Sequence, residues 1–507
     1  MAQINISNLT FAYEGSYDNI FENTSFSIDT NWKLGFIGRN GKGKSTFLNL
    51  LLGKYEYAGS IRTETVFDYF PYEITKEQLN QTADELIEFW KPQTESWRVL
   101  RELPGLGIDA ELLYRPIRTL SVGERIKVML AVLFSGENDF LLIDEPTNHL
   151  DQESREIIKG YLKKKKGFIL VSHDRDLLDA CVDHVLVLNR SSIEVQAGNF
   201  STWWKNKENA DKYAKAENEK HLKEIGKLQA AADRASGWVR KSEGSKIGFD
   251  PRKEPDRAVN ARSYIGTKTK KMQARVKNYE NRISREIEEK EGLLNDIEEM
   301  ASLKIMPLSH YMKRLIECRN LSIQYHDAVN SIIKNMSFEV NEGERIFLSG
   351  ANGCGKSSLI QAILSVANQD MKTKFSINGK LNIASNLVIS YISQDTSSLK
   401  GDLREYAKRN HLDYSLFLSL LRQLDFDRIQ FNKKIEDFSE GQKKKVLIAG
   451  SLLTPAHLYI WDEPLNYVDV FSRMQIEKLI EQYQPTMLIV EHDVRFREQL
   501  ATKVIEM

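Results

Sequence analysis

Two glycine-rich loops carry the clearest chemistry in this sequence. One reads GRNGKGKST over residues 38–46, and the other reads GANGCGKSS over residues 350–358. Each fits the pattern in which backbone N–H groups wrap phosphates at the start of a helix. Each also follows a short apolar stretch and precedes a helix-like one, which is the context that this pattern requires. Two full matches in that context disfavour the alternative, a glycine turn that binds nothing.

The loops predict the ligand as well as the fold. Lys44 and Lys356 are expected to neutralise the β- and γ-phosphates of ATP, and Ser45 and Ser357 to hold Mg²⁺. The full set of loop residues predicted to bind ATP is Gly38, Asn40, Gly41, Gly43, Lys44, Ser45 and Thr46, with Gly350, Asn352, Gly353, Gly355, Lys356, Ser357 and Ser358 in the second copy.

An apolar strand that ends in Asp-Glu-Pro follows each loop, as LLIDEPTNHLD at 141–151 and YIWDEPLNYVD at 459–469. Asp144 and Asp462 are predicted to lie next to the metal, and Glu145 and Glu463 to polarise a water aimed at the γ-phosphate. Neighbouring carboxylates are costly to bury unless a cation compensates them, as Mg²⁺–ATP would. The alternative is a carboxylate pair that caps the next helix.

Two histidines and two tyrosines complete the predicted sites. His173 and His492 each follow an apolar strand and precede an aspartate, which favours contact with the γ-phosphate over an inert, hydrogen-bonded histidine. Tyr13 and Tyr325 lie upstream of the loops and are predicted to stack on adenine. Tyrosines are also common in edge strands, and this remains the alternative for both.

The same motifs therefore occur twice, in the same order and at a nearly constant offset. LSVGE at 120–124 corresponds to FSEGQ at 438–442, and LVSHD at 170–174 to IVEHD at 489–493. An internal repeat of this kind predicts two homologous domains. We place the first half at 1–204, the second half at 311–507 and an insert at 205–310.

Bulk composition agrees with a multidomain globular protein. The 507 residues exceed what one core supports, and 41% of them are apolar and 28% charged. No apolar run approaches the roughly 20 residues needed to cross a bilayer, and the N-terminus shows no secretory signal. The three cysteines are widely separated, which indicates neither a disulfide framework nor a zinc site. The expected location is the cytoplasm, without a membrane partner.

The insert has the pattern of an antiparallel helical hairpin. Apolar residues recur at helical spacing over about 205–242 and again over about 262–300, and glycines and prolines near 243–261 predict a loop at the tip. A helix of roughly 38 residues is about 57 Å long, far more than a simple linker needs.

Charge is concentrated at this tip, although the net charge of the chain is zero. From Arg234 to Lys277 there are thirteen Lys and Arg against four Asp and Glu, interleaved with Trp238, Phe249 and Tyr264. Basic residues with aromatic rings favour RNA binding over the alternative, a solvated coiled-coil end. The predicted RNA-binding residues are Arg240, Lys241, Lys246, Phe249, Arg252, Lys253, Arg257, Arg262, Lys268, Lys270 and Lys271.

The phosphate loop, LSVGE-type signature, Asp-Glu-Pro strand and histidine, in that order, resemble the ATP-binding cassette ATPases. The resemblance implies an α/β fold with two tandem nucleotide-binding domains joined by the helical hairpin. It also implies ATP sandwiched between the phosphate loop of one half and the signature of the other. One site would then pair Lys44, Asp144 and Glu145 with Ser439, Gly441 and Gln442, and the other would pair Lys356, Asp462 and Glu463 with Ser121, Gly123 and Glu124.

The two halves depart from the family pattern in different ways. Val122 and Glu440 stand where the signature commonly has glycine. Tyr72 stands where a metal-contacting glutamine is usual, whereas the second half keeps Gln394. Leu465 and Tyr467 replace residues 147 and 149 of the first half. Unequal turnover at the two sites is therefore expected.

Two domains of this kind on one chain, with a long charged linker, resemble the ABC-F branch of the family. DEPTNHLD is typical of that branch, and WDEPLNYVDVF and TNWKLGFIGRNGKGK are similar to its antibiotic-resistance members. The resemblance implies a monomer whose halves pair when ATP binds. It implies as partners the bacterial ribosome, with the linker directed at the 23S rRNA and the P-site tRNA, and protection against lincosamides, streptogramin A and pleuromutilins.

Three other functions fit parts of the pattern. A housekeeping translation factor of the same branch is the nearest alternative. A tandem-cassette transporter ATPase has no need of a long hairpin with a basic tip. DNA-repair and chromosome-organising ATPases use zinc modules or far longer coiled coils, and neither pattern occurs in the sequence.

Overall fold

The computed structural model describes residues 3–13, 19–136, 139–148, 150–188, 192–247, 270–271, 274, 277–279, 281–283, 304–326, 330–368, 374–426 and 428–507, with only the backbone of 231–232, 235–247 and 428–429. Two compact units are present. One contains Met1–Trp203 together with Met300–Met507, and the other contains Trp204–Glu299. Both halves of the repeat thus belong to one unit.

The described residues of the first half form nine strands and six α-helices. The strands are β1 (Gln3–Phe11), β2 (Phe21–Asp29), β3 (Lys33–Ile37), β4 (Ala58–Arg62), β5 (Val66–Phe70), β6 (Asp139–Asp144), β7 (Phe168–Val171), β8 (His184–Leu188) and β9 (Ile193–Ala197). The helices are α1 (Lys44–Leu51), α2 (Ala83–Trp90), α3 (Ser96–Glu102), α4 (Val122–Leu133), α5 (Gln152–Leu162) and α6 (Arg175–Cys181), with short 3-10 turns at Gln78–Asn80, Leu103–Leu106, Ala110–Tyr114 and Ile117–Thr119.

Two sheets share the core of this half. The antiparallel sheet has the order β2-β1-β4, and the larger sheet has the order β5-β6-β7-β3-β8-β9, parallel except for its last strand. Strand β7, Phe168–Val171, is apolar along its whole length and all four of its residues are buried, as expected for an inner parallel strand with both faces covered. Strand β3 lies in the interior of the sheet and runs directly into the first phosphate loop and α1.

The second half repeats this design. Its strands are β10 (Arg314–Tyr325), β11 (Ile333–Asn341), β12 (Arg345–Ser349), β13 (Phe375–Ile383), β14 (Ile389–Ile392), β15 (Leu458–Asp462), β16 (Met487–Val490) and β17 (Lys503–Glu506). They form sheets of order β11-β10-β13 and β14-β15-β16-β12-β17. The helices are α8 (Lys356–Ala367), α9 (Leu403–Arg409), α10 (Tyr414–Gln423), α11 (Glu440–Leu453), α12 (Val470–Tyr483) and α13 (Val494–Leu500), with 3-10 turns at Arg428–Asn432 and Ile435–Asp437.

Helix α7 (Phe200–Ile247) leads into the second unit and is longer than predicted at both ends. It passes through Gly244, where the sequence predicted a stop, because a single glycine costs a helix only about 1 kcal/mol. Most of the predicted tip and of the second predicted helix lies outside the described residues, apart from short helical pieces between 270 and 283. Among the described residues, no helix combines the length and apolar character that crossing a bilayer would require.

Pairs of oppositely charged side chains connect the two halves. The Arg175 guanidinium, at the start of α6, makes a two-bond ion pair with the Glu477 carboxylate on α12, and both side chains are buried. Arg495 on α13 pairs with Asp176 and Asp179 on α6. Arg495 and Asp176 occupy equivalent positions in the two halves. The two copies of this position therefore contact each other and carry opposite charges.

We expect the Arg175→Ala variant to be less stable by about 3–5 kcal/mol, because it leaves the Glu477 carboxylate buried without its partner. The Arg175→Met/Glu477→Leu variant should recover most of this loss, since it removes both charges and retains apolar volume. Urea unfolding of the full-length protein measures both effects. A loss below about 1 kcal/mol in Arg175→Ala, the value of an exposed pair, would contradict this assignment.

Candidate active site

Each phosphate loop joins an interior strand to a helix through a backbone that only glycine adopts easily. Gly43 and Gly355 have φ values of 111° and 108° and lie immediately before α1 and α8. A Cβ at Gly43 would lie 2.4 Å from Cγ2 of Ile20. Glycine is therefore required at Gly43 both by the backbone conformation and by the lack of space for a side chain.

The lysines of both loops fold back over the loop backbone. Lys44 Nζ donates to the carbonyl oxygens of Gly38 at 2.7 Å and Arg39 at 3.2 Å, and Lys356 Nζ donates to those of Gly350 at 2.8 Å and Ala351 at 2.9 Å. Both lysines are buried. Each loop thus holds an ammonium group where the sequence predicted contact with phosphate oxygens.

Parallel pairing of β6 with β7 brings the predicted catalytic groups together. Asp144 pairs with Val171, so that Asp144 and Glu145 lie beside the residues that follow β7. Glu145 Oε1 lies 3.2 Å from His173 Nε2, and Ser45 Oγ donates to Asp144 Oδ2 at 3.2 Å. The chemistry of three separate motifs therefore converges at one edge of the sheet.

The second half has the same arrangement with a looser histidine contact. Asp462 pairs with Val490, and His492 Nε2 lies 3.6 Å from Glu463 Oε1. Both glutamates that are predicted to be catalytic have left-handed backbones, with φ of 51° at Glu145 and 47° at Glu463. Such conformations are unfavourable for glutamate and are concentrated at functional sites. Both halves accept this cost at the same position.

Burial makes the carboxylates of these sites difficult to ionise in the absence of a cation. Burial and then the charge of Asp144 raise the pKa of Glu145, and burial raises the pKa of Asp144. Burial likewise raises the pKa of Asp462 to about 6. The pKa of His173 is lowered, first by burial and then by Lys44. The pocket therefore favours binding of positive charge next to the aspartates.

The residues around Asp462 fit the predicted Mg²⁺. Its Oδ1 atom is buried without a hydrogen-bond partner among the described residues, and its carboxylate is hydrogen-bonded to the Ser357 side chain. Carboxylate and hydroxyl oxygens are ligands that Mg²⁺ prefers. Gln394, the other predicted ligand, instead donates through Nε2 to Glu463 Oε2 at 2.9 Å.

The first site contains residues from both halves. Asn40 Nδ2 of the first phosphate loop donates to the Tyr467 carbonyl at 2.7 Å, and Arg39 Nη1 lies 2.8 Å from Asp425 Oδ1. A cavity of about 490 Å³ lies between the loop and the second signature, within the usual range for small-molecule sites. Its lining includes Gly41, Lys44, Ser45, Asp144, Glu145 and His173 from the first half and Ser439, Glu440, Gly441, Gln442, Lys445 and Tyr467 from the second.

The second site differs in what the first half contributes. The backbone N–H of Asn352 donates to the Asp151 carboxylate at the end of the Asp-Glu-Pro turn. A cavity of about 530 Å³ is lined there by Asp151, Gln152, Glu153, Glu156, Ile157, Ser349, Gly350, Ala351, Glu491, His492 and Arg497. The nearest neighbours of a Cβ at Gly123 belong to Ser154 and Leu150 of its own half. The pairing of Lys356 with Ser121 and Gly123 stays a prediction.

The signature serines begin helices α4 and α11. Ser121 Oγ accepts the backbone N–H of Glu124, whose carboxylate accepts the N–H of Ser121. Ser439 and Gln442 make the same reciprocal pair. These bonds hold each signature at a helix N-terminus, where the helix dipole favours an anion such as phosphate.

The two predicted adenine-stacking tyrosines are attached to their loops. Tyr13 OH is hydrogen-bonded to Thr46 Oγ1 at 2.8 Å, and Tyr325 OH to Ser358 Oγ at 2.9 Å. The Tyr13 side chain is 43% exposed, which leaves ring surface free for a base. Their equivalent attachment keeps both rings near the phosphate loops.

Three further residues belong to the first site and were not predicted. Tyr69 OH donates to Asp144 Oδ2 at 3.2 Å, whereas Tyr72, the residue aligned with Gln394, donates to Asp68 and stacks on Trp90. Tyr69 corresponds to Tyr391 of YISQD, and this alignment was the available signal. Lys445 and Tyr467 line the first cavity from the other half. A lysine three residues after each signature, in ERIK and QKKK, was the signal for Lys445.

Comparison with known proteins agrees with this geometry. The sequence model of the ABC transporter family matches residues 21–148 and 333–466, which cover both phosphate loops and both Asp-Glu-Pro strands. The chain belongs to this family. The predicted α/β fold with two tandem nucleotide-binding domains is confirmed, and so is the prediction that the protein is an ATPase.

Relatives match the chain over nearly its full length. The ribosome protection protein VmlR of Bacillus subtilis is 27% identical, over 96% of this chain and 84% of that protein. The ATP-binding protein Uup of Buchnera aphidicola is 28% identical, over 99% of this chain and 80% of that protein. The predicted resemblance to the ABC-F branch is confirmed.

Solved structures show the same fold. The archaeal ribosome recycling factor aABCE1, in complex with ribosomal stalk protein aP1, superposes with a TM-score of 0.61 at 18% identity, over 98% of this chain and 87% of that chain. A structure named RNase-L Inhibitor has a TM-score of 0.60, also at 18% identity, over 99% of this chain and 87% of that chain.

The predicted RNA-binding residues lie mostly beyond what the structure describes. Lys270 and Lys271 are helical and exposed. The side chains of Arg240, Lys241 and Lys246 on the long helix are not described, and Phe249, Arg252, Lys253, Arg257, Arg262 and Lys268 lie outside the described residues.

We expect the Glu145→Gln variant to melt at a higher temperature than the parent protein without nucleotide, by about 2–4 °C near pH 8. Because the pKa of Glu145 is raised, the folded state binds more protons than the unfolded state. The stabilising contribution of protonated Glu145 is therefore present at low pH and is lost as pH rises through the folded pKa. The difference should shrink toward pH 5. Glu88→Gln, an exposed control, should show no such trend, and a pH-independent difference for Glu145→Gln would contradict the argument.

Proposed function

We propose that this protein is an ATP-dependent ribosome-binding protein that protects the peptidyl-transferase centre from antibiotics. The observation that carries the proposal is the similarity to a ribosome protection protein over 96% of the chain. The aligned region covers so much of the chain that the insert lies within it. The basic, aromatic tip of that insert is suited to RNA.

Hydrolysis of ATP is assigned to the converging groups of each half. Lys44 and Lys356 bind the β- and γ-phosphates, and Glu145 and Glu463 accept a proton from the attacking water. His173 and His492 contact the γ-phosphate and respond to its loss. The neutral form of His173, favoured by its lowered pKa, can donate one hydrogen bond while its other ring nitrogen accepts one.

Mg²⁺ is assigned to Ser45 and Asp144 in the first half, and to Ser357, Asp462 and Gln394 in the second. Bound there, it supplies positive charge that neutralises the phosphate oxygens and offsets the buried carboxylates. Tyr13 and Tyr325 stack on adenine. Ser439, Gly441 and Gln442 complete the first site from the opposite half, and Ser121, Gly123 and Glu124 complete the second.

Nucleotide binding is converted into ribosome binding through closure of the halves. With ATP at both sites, phosphate loop and signature bind the same ligand, and the halves are held together. Closure then fixes the direction of the linker, which enters the ribosomal E site and approaches the 23S rRNA and the P-site tRNA. Loss of the γ-phosphate reopens the halves and releases the protein.

The remaining assignments follow from this function. The protein acts in the cytoplasm as a monomer, with its halves paired within the chain and without a membrane partner. Residues 205–310 form a separate linker between domains at 1–204 and 311–507. The alternative is a housekeeping translation factor of the same branch, and a transporter ATPase subunit is a more distant one. The similarity to Uup is equal in extent to that with VmlR, so antibiotic susceptibility decides between the first two.

We expect the Glu145→Gln/Glu463→Gln variant to remain bound to ribosomes in ATP, because it binds nucleotide and cannot activate the attacking water. Sedimentation of lysate or purified ribosomes through sucrose measures the bound fraction. The same variant in ADP is the control and should stay unbound. Recovery of the ATP-loaded variant only in the unbound fraction would contradict ATP-dependent ribosome binding.

Expression of the protein in a sensitive bacterium should raise the inhibitory concentrations of a lincosamide and a pleuromutilin by about fourfold or more. Weaker binding of the drug at the peptidyl-transferase centre raises the concentration needed for the same occupancy by the same factor. The Lys44→Ala/Lys356→Ala variant, which lacks the charge that binds phosphate, should give no protection. Unchanged susceptibility with the parent protein, together with ATP-dependent ribosome binding, would indicate the housekeeping function.

A further inference from the structure

The second half contains a buried pair of opposite charges that the first half lacks. Lys444 is 3% exposed and Glu491 is 5% exposed. At the equivalent positions of the repeat the first half has Ile126 and Ser172, both uncharged. Because a buried charge is costly alone, the joint appearance of two opposite charges indicates that they act together.

Lys444 supports one side of Glu463. Its Nζ donates to the Ser393 carbonyl at 3.0 Å. The next residue, Gln394, donates through Nε2 to Glu463 Oε2 at 2.9 Å. The lysine therefore fixes the backbone from which this amide reaches the catalytic carboxylate.

Glu491 supports the other side. One of its oxygens accepts the backbone N–H of Leu465 at 2.8 Å, and the other accepts that of His492 at 2.9 Å. Leu465 belongs to the turn that carries Asn466, whose Nδ2 donates to Glu463 Oε2 at 2.7 Å. Glu463 Oε2 thus accepts hydrogen bonds from two side-chain amides. Gln394 follows Ser393, which is bonded to Lys444, and Asn466 follows Leu465, which is bonded to Glu491.

The electrostatics agree with mutual dependence. Burial lowers the pKa of Lys444, and the Glu491 carboxylate is the strongest charge opposing this effect, followed by Glu463 and Asp462. Among the charges around Lys444, that of Glu491 therefore does most to favour its protonated form. Without Glu491, its nearest compensation would come from the groups that the proposed function assigns to catalysis and metal binding.

The first half holds its glutamate in another way. Tyr72, in the place of Gln394, is turned toward Asp68, and Ser172 Oγ accepts the backbone N–H of Asp174 at 3.1 Å. Glu145 lies 3.2 Å from its histidine, compared with 3.6 Å for Glu463. Glu145 therefore depends on His173, whereas Glu463 is held by side-chain amides whose loops are attached to the charged pair.

We propose that Lys444 and Glu491 are positioning residues for ATP hydrolysis in the second half, where they hold the amides of Gln394 and Asn466 on Glu463. This inference rests on the proposed role of Glu463 as the group that activates water. Lys444 and Glu491 are not proposed to contact the attacking water. They act through the two loops on either side of the catalytic carboxylate.

The test replaces the pair with the residues of the first half. In full-length protein, Lys444→Ile and Glu491→Ser alone should each lower the melting temperature, because each leaves a buried charge without its counterpart. The combined Lys444→Ile/Glu491→Ser variant should regain the melting temperature. The kcat for ATP is compared in a Glu145→Gln background for the parent and for every variant, so that only the second site hydrolyses ATP. In that background the kcat of the combined variant should nevertheless stay about tenfold below the parent value with KM changed by less than about threefold, because only the positioning of the attacking group is lost.

Two further variants make the outcomes decisive. Lys478→Ile removes a lysine from an exposed position of α12 and should leave kcat at the parent value. Glu463→Gln should lower kcat at least as far as the combined variant. If the combined variant regains both melting temperature and kcat while Glu463→Gln is impaired, the pair is only structural and this inference is overturned. If Glu463→Gln itself retains the parent kcat, the proposed role of Glu463 is wrong and the inference fails with it.

Discussion

The burial of two adjacent carboxylates at the end of an apolar strand is the constraint on which this structure depends. Parallel pairing places Asp144 and Glu145, and equally Asp462 and Glu463, at one edge of the sheet, where the carboxylates are shielded from solvent. Ionised carboxylates at such a place require nearby positive charge. The lysine of the preceding phosphate loop lies nearby and is itself engaged with backbone carbonyls. A site with this balance favours a ligand that brings both a cation and phosphate groups, and ATP with Mg²⁺ is such a ligand.

Compensation is distributed differently in the two halves. At the first site, Glu145 is influenced by Arg473 from the other half as well as by its own Lys44. At the second, Lys444 of the same half lies among Glu491, Glu463 and Asp462. One glutamate is thus tied electrostatically to contact between the halves, and the other is supported from within its own half. This difference supports the expectation that the two sites turn over unequally.

The sequence predicted the motif residues of each half and, through the family resemblance, the signature residues that line the first cavity from the other half. It missed Tyr69, Lys445 and Tyr467. Phosphate loops, Asp-Glu-Pro strands and histidines are read from local pattern, because strand, turn and helix order alone places them at the edge of a sheet. The role of Tyr69 depends on which of two tyrosines in YFPYE faces Asp144, which side-chain packing decides. The contact between Asn40 and Tyr467 joins residues more than four hundred positions apart and has no local signature. The extension of the long helix through Gly244 was missed because one glycine was given more weight than its helix propensity warrants.

The charges between the halves show why the repeat lies on a single chain. In a symmetric dimer of identical halves, the position shared by Arg495 and Asp176 would face its own copy, so that like charges would meet. In this chain the two copies have diverged to opposite charge and form an ion pair. The Arg175–Glu477 pair has no equivalent on the other side of the repeat, where Val494 and Lys159 occupy the matching positions. A fused chain can therefore stabilise one side of the contact between its halves more than the other. That inequality allows two similar ATP sites to be coupled without being equivalent.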